Sequence, residues 1–316
     1  MPLNKSSGLA IGLGSVAIDI IGKVDALPKE DGFCMVTEQQ ALDGGSCANV
    51  MTQIARLGAP SALVARIGDD DSGRKIRKGL EHYNINTAWL MTKQGGTSLT
   101  THIFVDPIGA KTIVLYMGDS LMTVSLDDLD LSFLDHCKVL YTDLFPPHTA
   151  VAVAKAAKAR NIPVVFNMQV GWPLMEAFGA NRSLISEMLE YSAVFAPCRS
   201  AAFDLAGTDE PNECIRKLRA DFCYQGIIIL TLGTEGSLIE YDGRLVKIPA
   251  YQVDAVDTTG AGDSYIGAFL YAYYFAGFDP ETAGRFSAAA AALTCMRVGA
   301  RSTPSLEEVN SFNKWR

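Results

Sequence analysis

Strand-like apolar runs alternate along the chain with apolar residues at helical spacing. The strand-like runs cover residues 10–14, 62–67, 139–142, 164–166, 194–196 and 227–232. Between the first three runs, apolar residues recur at helical intervals over 50–57, closed by Gly58, and over 76–83. This alternation predicts an α/β fold, with a largely parallel sheet covered by helices on both faces.

Two regions interrupt the alternation with hairpin patterns that have no helix between their strands. They cover about residues 16–42 and 97–116, and the second contains the turn sequence Asp106-Pro107-Ile108-Gly109. We expect these regions to join in one small sheet, a lid that projects from the main sheet. A later hairpin over 238–248 is expected at the antiparallel edge of the main sheet. No repeat or linker is visible, so residues 1–316 are predicted to form a single domain.

Composition narrows the class of protein. The chain has 316 residues, of which 48% are hydrophobic, enough for the core of one large α/β enzyme. A net charge of −8 argues against partners such as nucleic acid or an anionic membrane. The longest apolar run, 268–278, is too short to span a bilayer, and the apolar stretch 9–21 lacks the flanks of a signal peptide. The seven cysteines form no CxxC pair, so neither a disulfide framework nor a zinc site is indicated. We therefore expect a cytoplasmic protein.

The most specific chemistry lies in residues 257–263, which read Asp-Thr-Thr-Gly-Ala-Gly-Asp. Small residues let several backbone amides surround a phosphate, and the helical spacing that follows places this cradle at a helix N-terminus. The helix dipole there would attract a phosphate and favour the ionised form of Asp263, which could then accept a proton. The pattern indicates a phosphoryl transferase. A glycine turn with an ordinary first-turn carboxylate is the structural alternative.

Polar or glycine residues follow the predicted strands at the edge where open α/β sheets bind ligands. Asp19 and Asp143 would place two carboxylates on one crevice, which suits hydrogen bonding to neighbouring hydroxyls. Gly44 and Gly45 would let a ligand lie against bare backbone, and Asn49 can both donate to and accept from a hydroxyl. For the glycine pair and Asn49, the structural alternative is a tight turn with a capping amide.

A second glycine-containing loop and two absent motifs indicate how the protein binds a nucleotide. Residues 231–237 place glycines and hydroxyls at a strand end, as a nucleotide-facing loop requires. The chain contains no GxxxxGK[ST] sequence, which excludes a P-loop kinase. The Gly12-Leu13-Gly14 sequence lacks the third glycine of a dinucleotide fingerprint, which disfavours a nicotinamide-dependent dehydrogenase.

Taken in order, the residues from about 11 to about 304 resemble the ribokinase-like carbohydrate kinases, the PfkB family. The resemblance rests on Asp19, on segments 44–49, 57–58, 68–70 and 231–236, and most specifically on 257–263. It implies a three-layer α/β/α domain with a mostly parallel central sheet and a small β-sheet lid. It also implies ATP with Mg²⁺ as the phosphate donor and a hydroxymethyl group of a sugar or nucleoside as the acceptor.

The resemblance further implies a role for each matching residue. Asp263 would be the catalytic base, beside an anion hole formed by Gly260, Ala261 and Gly262. The other matching residues fall into three groups: Asp19, Gly44, Gly45, Asn49 and Asp143 for the acceptor; Thr231, Gly233, Gly236 and Thr259 for the nucleotide; and Asp257, Thr259 and Gly299 for a monovalent cation such as K⁺.

The chain departs from the family after the strand that ends near Ala196. Relatives carry an Asn-x-x-Glu motif that organises metal and phosphate, whereas this chain reads Cys198-Arg199-Ser200-Ala201. A thiol is a poor magnesium ligand and a methyl group is none. Three accounts remain: ATP and water hold magnesium, Asp204 or Glu187 substitutes, or catalysis is weak or lost. The last account leaves a second hypothesis, a kinase-fold sensor that binds sugar or nucleotide.

The identity of the acceptor substrate stays open: ribose, fructose, a deoxy-gluconate and a nucleoside all fit.

The lid regions contain more apolar residues than a small sheet wetted on both faces requires: Val16, Ile18, Ile20, Ile103, Phe104, Val105, Ile113, Val114 and Leu115. We therefore expect one lid face to cover the acceptor and the other to meet a second lid in a homodimer.

Overall fold

The computed structural model describes residues 8–108 and 110–312. Its strands, in chain order, are Leu9–Leu13 (β1), Ala17–Val24 (β2), Val36–Gly44 (β3), Ser61–Gly68 (β4), Leu90–Lys93 (β5), Thr100–Val105 (β6), Lys111–Tyr116 (β7), Cys137–Thr142 (β8), Val164–Phe166 (β9), Val194–Phe195 (β10), Ile227–Thr231 (β11), Ser237–Tyr241 (β12) and Arg244–Ile248 (β13). The described residues place nine of them in one sheet, in the order β13-β12-β11-β10-β9-β8-β1-β4-β5.

Helices connect most of these strands and pack on the sheet in a three-layer α/β/α arrangement. They are Ser46–Arg56 (α1), Asp71–His82 (α2), Pro147–Ala159 (α3), Trp172–Ala177 (α4), Arg182–Tyr191 (α5), Arg199–Ala206 (α6), Pro211–Asp221 (α7), Ala261–Leu270 (α8), Pro280–Cys295 (α9) and Leu306–Ser311 (α10). No helix within the described ranges has the length and apolar content needed to cross a membrane.

The predicted strands are confirmed, and their apolar character follows from their position. β1 lies between β4 and β8 and pairs with both in parallel, and every residue of β1 is buried. A strand that is buried on both faces has no polar positions, so its sequence is a continuous apolar run that predicts a strand. The edge strand β5 was not predicted, because only Leu90 in it is buried and the run has no apolar pattern. The hairpin of β12 and β13 forms the antiparallel edge, as predicted.

The predicted lid is also present as a separate sheet of β3, β2, β6 and β7. β2 and β3 are antiparallel, β6 and β7 are antiparallel, and β2 pairs with β6 in parallel. In the β6–β7 turn, the Asp106 carboxylate accepts hydrogen bonds from the amides of Ile108 and Ala110 at 3.0 and 2.9 Å. Gly109 of the predicted turn lies outside the described residues.

Close packing of α1 against α8 sets the geometry of the site. A Cβ atom at Gly267 in α8 would lie 2.8 Å from the carbonyl oxygen of Val50 in α1, so only glycine allows this approach. Next to it, the Ser264 hydroxyl donates to Gln53 Oε1 at 2.7 Å. The contact brings the first turns of the two helices together, although they come from distant parts of the sequence.

Candidate active site

Asp263 lies in the first turn of α8, directly after the glycine-rich segment. Gly260 precedes the helix with φ of 76°, and a Cβ there would lie 2.6 Å from the Ala300 carbonyl oxygen. The position therefore requires glycine for both its conformation and its packing. A Cβ at Gly262 would meet nothing within 4 Å, so the backbone is open on that side. The Ala261 amide donates to the Thr258 carbonyl oxygen at 3.2 Å, and the other first-turn amides have no acceptor within the helix, which leaves this segment suited to an anion.

The carboxylate of Asp263 is 7% exposed and accepts two hydrogen bonds. Ser46 Oγ donates to Oδ1 and Asn49 Nδ2 donates to Oδ2, each at 2.7 Å. Burial raises the pKa of Asp263 to about 6, and these two hydrogen bonds only partly offset it. The expected shift toward easier ionisation is therefore wrong in direction, because loss of water on burial outweighs the hydrogen bonds to the carboxylate. A base with a pKa near neutrality is suited to taking and returning a proton.

The lid residues that are predicted to bind the acceptor substrate lie next to α1 and Asp263. Asp19 on β2 is 9% exposed and accepts a hydrogen bond from the Thr101 hydroxyl on β6. Burial raises the pKa of Asp19. A side chain at Gly44 would overlap the Asp19 carboxylate, and Gly45 has φ of 89°. The glycine pair thus permits both the sharp turn into α1 and the close approach of Asp19.

A cavity of about 450 Å³ adjoins Gly262, the residue that precedes Asp263. Thr231, Gly233 and Gly236, all predicted to face the nucleotide, line it together with Ala261 and Gly262 from the anion cradle, whereas Thr258 lines it in place of the predicted Thr259. Gly236 has φ of 92°, and a side chain there would overlap the Ile248 carbonyl oxygen, so the loop requires glycine. The walls also include small residues of α9 and leave a cavity of the size that nucleotide-sized ligands need.

Residues 9–307 match the family described as pfkB family carbohydrate kinase. The chain belongs to this family. It is 27% identical to the ATP-dependent ribose-1-phosphate kinase of Halopiger xanaduensis over 304 residues, which cover 95% of this chain and 96% of the relative. It is 29% identical to the ribokinase of Bacillus subtilis, covering 95% and 97%. The structure of Arabidopsis thaliana ribokinase complexed with ribose and ATP shares the fold, with a TM-score of 0.81, 24% identity and coverage of 98% and 99%.

Asp143 of this pfkB family kinase is buried under the acceptor region. It is 1% exposed, and its carboxylate accepts hydrogen bonds from the Ser15 amide at 3.0 Å, from the Ser15 hydroxyl and from the Cys47 amide at 3.2 Å. Burial raises the pKa of Asp143 to about 6. The structure therefore shows Asp143 joining the end of β1 to the start of α1, and its direct contact with an acceptor stays a prediction.

The residues that are predicted to bind a monovalent cation are joined by hydrogen bonds to the Asp257 carboxylate. Asp257 accepts from the amide of Thr259 and from the amide of Gly299, each at 2.9 Å. Burial would raise the pKa of Asp257, but hydrogen bonds from Gly299 and Thr259 outweigh it and lower the value. An ionised carboxylate between two loops is compatible with a monovalent cation nearby.

The Cys198 and Ala201 segment offers little to a magnesium ion. Ala201 is fully buried, whereas Cys198 lines a narrow cavity with Thr231 and Gly262. Asp204, one proposed substitute, accepts a hydrogen bond from the Trp172 amide at 2.9 Å. Across residues 8–108 and 110–312, no group of three or more His, Cys, Asp or Glu side chains is placed to hold a metal ion. These residues do not fit a protein-built magnesium cage.

Besides Thr101, which contacts Asp19, sequence reasoning missed Ser46 and Arg301 among the side chains that contact the site. Ser46 lies in the quoted segment 44–49, but nothing local marks its hydroxyl as a partner of Asp263. Arg301 is 3% exposed and contacts Asn49 and Gly44. An arginine in a loop has no periodic signal, and arginine is normally a surface residue, so its burial could not be foreseen.

Proposed function

We propose that this pfkB family kinase transfers the γ-phosphate of ATP to a hydroxymethyl group of a sugar or nucleoside, with Asp263 as the base. One observation carries the proposal: the buried carboxylate of Asp263 lies between the two predicted ligand regions. On one side Asp263 contacts Asn49 at the start of α1, next to the lid. On the other side its neighbour Gly262 lines the 450 Å³ cavity.

The chemistry that follows is a direct displacement at the γ-phosphorus. The acceptor oxygen forms a bond to phosphorus, the bond to the bridging oxygen of ADP breaks, and Asp263 takes the hydroxyl proton. Backbone amides from Gly260 to Gly262 offset the charge on the transferring oxygens. Magnesium would neutralise charge on the donor phosphates, and we propose that it arrives with ATP, since among residues 8–108 and 110–312 no cluster of three or more His, Cys, Asp or Glu side chains is placed to hold it.

The remaining site residues are proposed to hold the two substrates. Asp19, Asn49 and Asp143, with the Gly44–Gly45 backbone, would hold the acceptor hydroxyls, and Asp143 could also act by fixing Ser15 and Cys47. Thr231, Gly233, Gly236 and Thr259 would face the nucleotide, and Asp257, Thr259 and Gly299 would support a K⁺ ion. Because the relatives include ribokinases, a ribose-like sugar is the first acceptor to test.

The lid is proposed to form a homodimer interface. On β7, Ile113, Val114 and Leu115 are 55%, 52% and 38% exposed. Adjacent apolar side chains exposed on a small sheet favour contact with a second copy. We also keep the prediction of a cytoplasmic location.

The test is ADP release from ATP and magnesium over a panel of pentoses, hexoses, sugar acids and nucleosides. We expect a ribose-like sugar or a nucleoside to give turnover that saturates. Thermal shifts on the same panel separate binding from reaction. The Cys198 and Ala201 positions leave a second hypothesis, a kinase-fold sensor, against which the retained 257–263 segment argues. If ATP raises the melting temperature while no acceptor releases ADP, that hypothesis replaces the kinase.

A further inference from the structure

A buried arginine lies directly beneath the predicted acceptor cradle and contacts it at two points. Arg301 follows the Gly299 loop and is 3% exposed. Its Nη2 donates to the carbonyl oxygen of Gly44 at 2.6 Å, and its Nε donates to Asn49 Oδ1 at 3.1 Å. Its third nitrogen, Nη1, lies 3.6 Å from Asp43 Oδ1. One rigid guanidinium thus joins the lid strand β3 to the first turn of α1.

The contact with Asn49 determines what that side chain can offer to Asp263. An asparagine amide has an acceptor end and a donor end, and they are not interchangeable. Arg301 has no acceptor atom, so it must face the oxygen. Asn49 Nδ2 is thereby directed at Asp263 Oδ2, 2.7 Å away. If the amide turned over, its oxygen would face the carboxylate and repel it.

The second contact acts on the glycine pair. Gly45 has φ of 89°, and neither Gly44 nor Gly45 has a side chain that could pack and hold the turn. The position of this backbone is therefore set by contacts from neighbouring residues. The hydrogen bond from Arg301 to the Gly44 carbonyl supplies that restraint. The same side chain therefore fixes the backbone that faces the acceptor and the amide that faces the base.

We propose that Arg301 is a positioning residue for the phosphoryl transfer, holding Asn49 toward Asp263 and the Gly44 backbone toward the acceptor. The inference rests on the proposed function. The competing explanation is purely structural: a buried cation paired with Asp43 that stabilises the fold and has no effect on the reaction. The two differ in which measurement changes, because loss of stability lowers the melting temperature whereas misplacement lowers turnover in protein that is fully folded.

The test compares Arg301→Lys with Asn49→Ala and with the Arg301→Lys/Asn49→Ala double variant. Lysine keeps the charge near Asp43 but cannot reach Gly44 and Asn49 together, since its ammonium is a single point. We expect Arg301→Lys to keep a melting temperature close to wild type and to lose roughly 10- to 100-fold in kcat, as shifts of positioning groups do. Acceptor KM should rise and ATP KM should stay within about twofold, because Arg301 does not line the nucleotide cavity.

The double variant tests whether Arg301 acts through Asn49. If Arg301 acts through Asn49, adding Asn49→Ala to Arg301→Lys should cost much less than Asn49→Ala costs alone. Arg297→Met is the matched control: Arg297 is in the same C-terminal segment and pairs with Glu308, away from Asn49, so it should change stability and leave kcat unchanged.

Two outcomes would overturn the proposal while the kinase assignment stands. One is an Arg301→Lys variant with kcat within about twofold of wild type, and the other is losses that simply multiply in the double variant. A wild-type protein that turns over normally with Asp263→Asn inactive confirms that the assay reads the proposed chemistry. Absence of turnover in wild type would overturn the function and the role of Arg301 together.

Discussion

Replacing Asp263 with asparagine tests the proposed base most directly. The substitution keeps the size of the side chain but removes its ability to take the proton of the substrate hydroxyl. The 2.7 Å contacts can be kept, since the asparagine oxygen can accept from Asn49 Nδ2 while its NH₂ group donates to the Ser46 hydroxyl oxygen. Acceptor binding should change only a few-fold, because Asp19 and the glycine backbone would still hold the hydroxyls.

The size of the effect follows from the role assigned to the carboxylate. A positioned base contributes about 10² to 10⁴ in rate, which corresponds to about 2.7 to 5.4 kcal/mol in the activation free energy. The pH dependence provides a second measure. Because the pKa of Asp263 is raised to about 6 in the ligand-free protein, it is protonated below that pH, so wild-type kcat/KM for the acceptor should fall as pH decreases through about 6. Asp263→Asn should lose that acid limb.

The assay is ADP release with saturating ATP across pH 5 to 8, with acceptor affinity measured separately by calorimetry. Asp71→Asn is the matched control, because Asp71 is also a first-turn carboxylate but is exposed on α2 and pairs with Arg74. It should retain wild-type kcat. Turnover of Asp263→Asn within about threefold of wild type, with the acid limb intact, would refute the mechanism.

Four further changes probe the remaining parts of the site. Asp19→Ala should weaken acceptor binding by about 1.5 to 3 kcal/mol in calorimetry, because hydroxyls are left unpaired; an unchanged Kd would make Asp19 structural. Ala292→Phe should fill part of the nucleotide cavity that Ala292 lines and raise ATP KM with acceptor Kd unchanged; an unaffected ATP KM would place the nucleotide elsewhere. Val114→Glu should convert a dimer to a monomer in light scattering, because Val114 is exposed on the lid face opposite to Asp19 and the change places a charge there; wild type that is already monomeric at micromolar concentration contradicts the lid interface. Cys198→Asn should lower the magnesium concentration for half-maximal rate, since an amide oxygen replaces a thiol beside Gly262; a higher requirement would mean that the thiol is part of the metal environment.

The structure changes how the metal question can be tested. The sequence comparison alone suggests restoring both positions, with asparagine at 198 and glutamate at 201. Ala201 is fully buried, so glutamate there would place a carboxylate in the core and destabilise the fold. The partly exposed Cys198 is the position that tolerates the change.

By itself the sequence determined the layered α/β architecture, the lid and the glycine-rich segments. These follow from local rules: strands buried on both faces are continuous apolar runs, as in β1, and hairpins without helices stand out against them. Gly260 and Gly236 were readable because left-handed backbone and close approach both demand glycine.

Only the tertiary structure decided the electrostatics and the partners of the base. The pKa of Asp263 moves to about 6 because packing of α1 against α8 removes water, a quantity that no local pattern contains. Ser46 and Arg301 enter the site for the same reason, since helix packing and the Gly299 loop bring them from distant parts of the chain. Periodicity reports which face of an element is buried, whereas the choice of a polar partner depends on which elements meet.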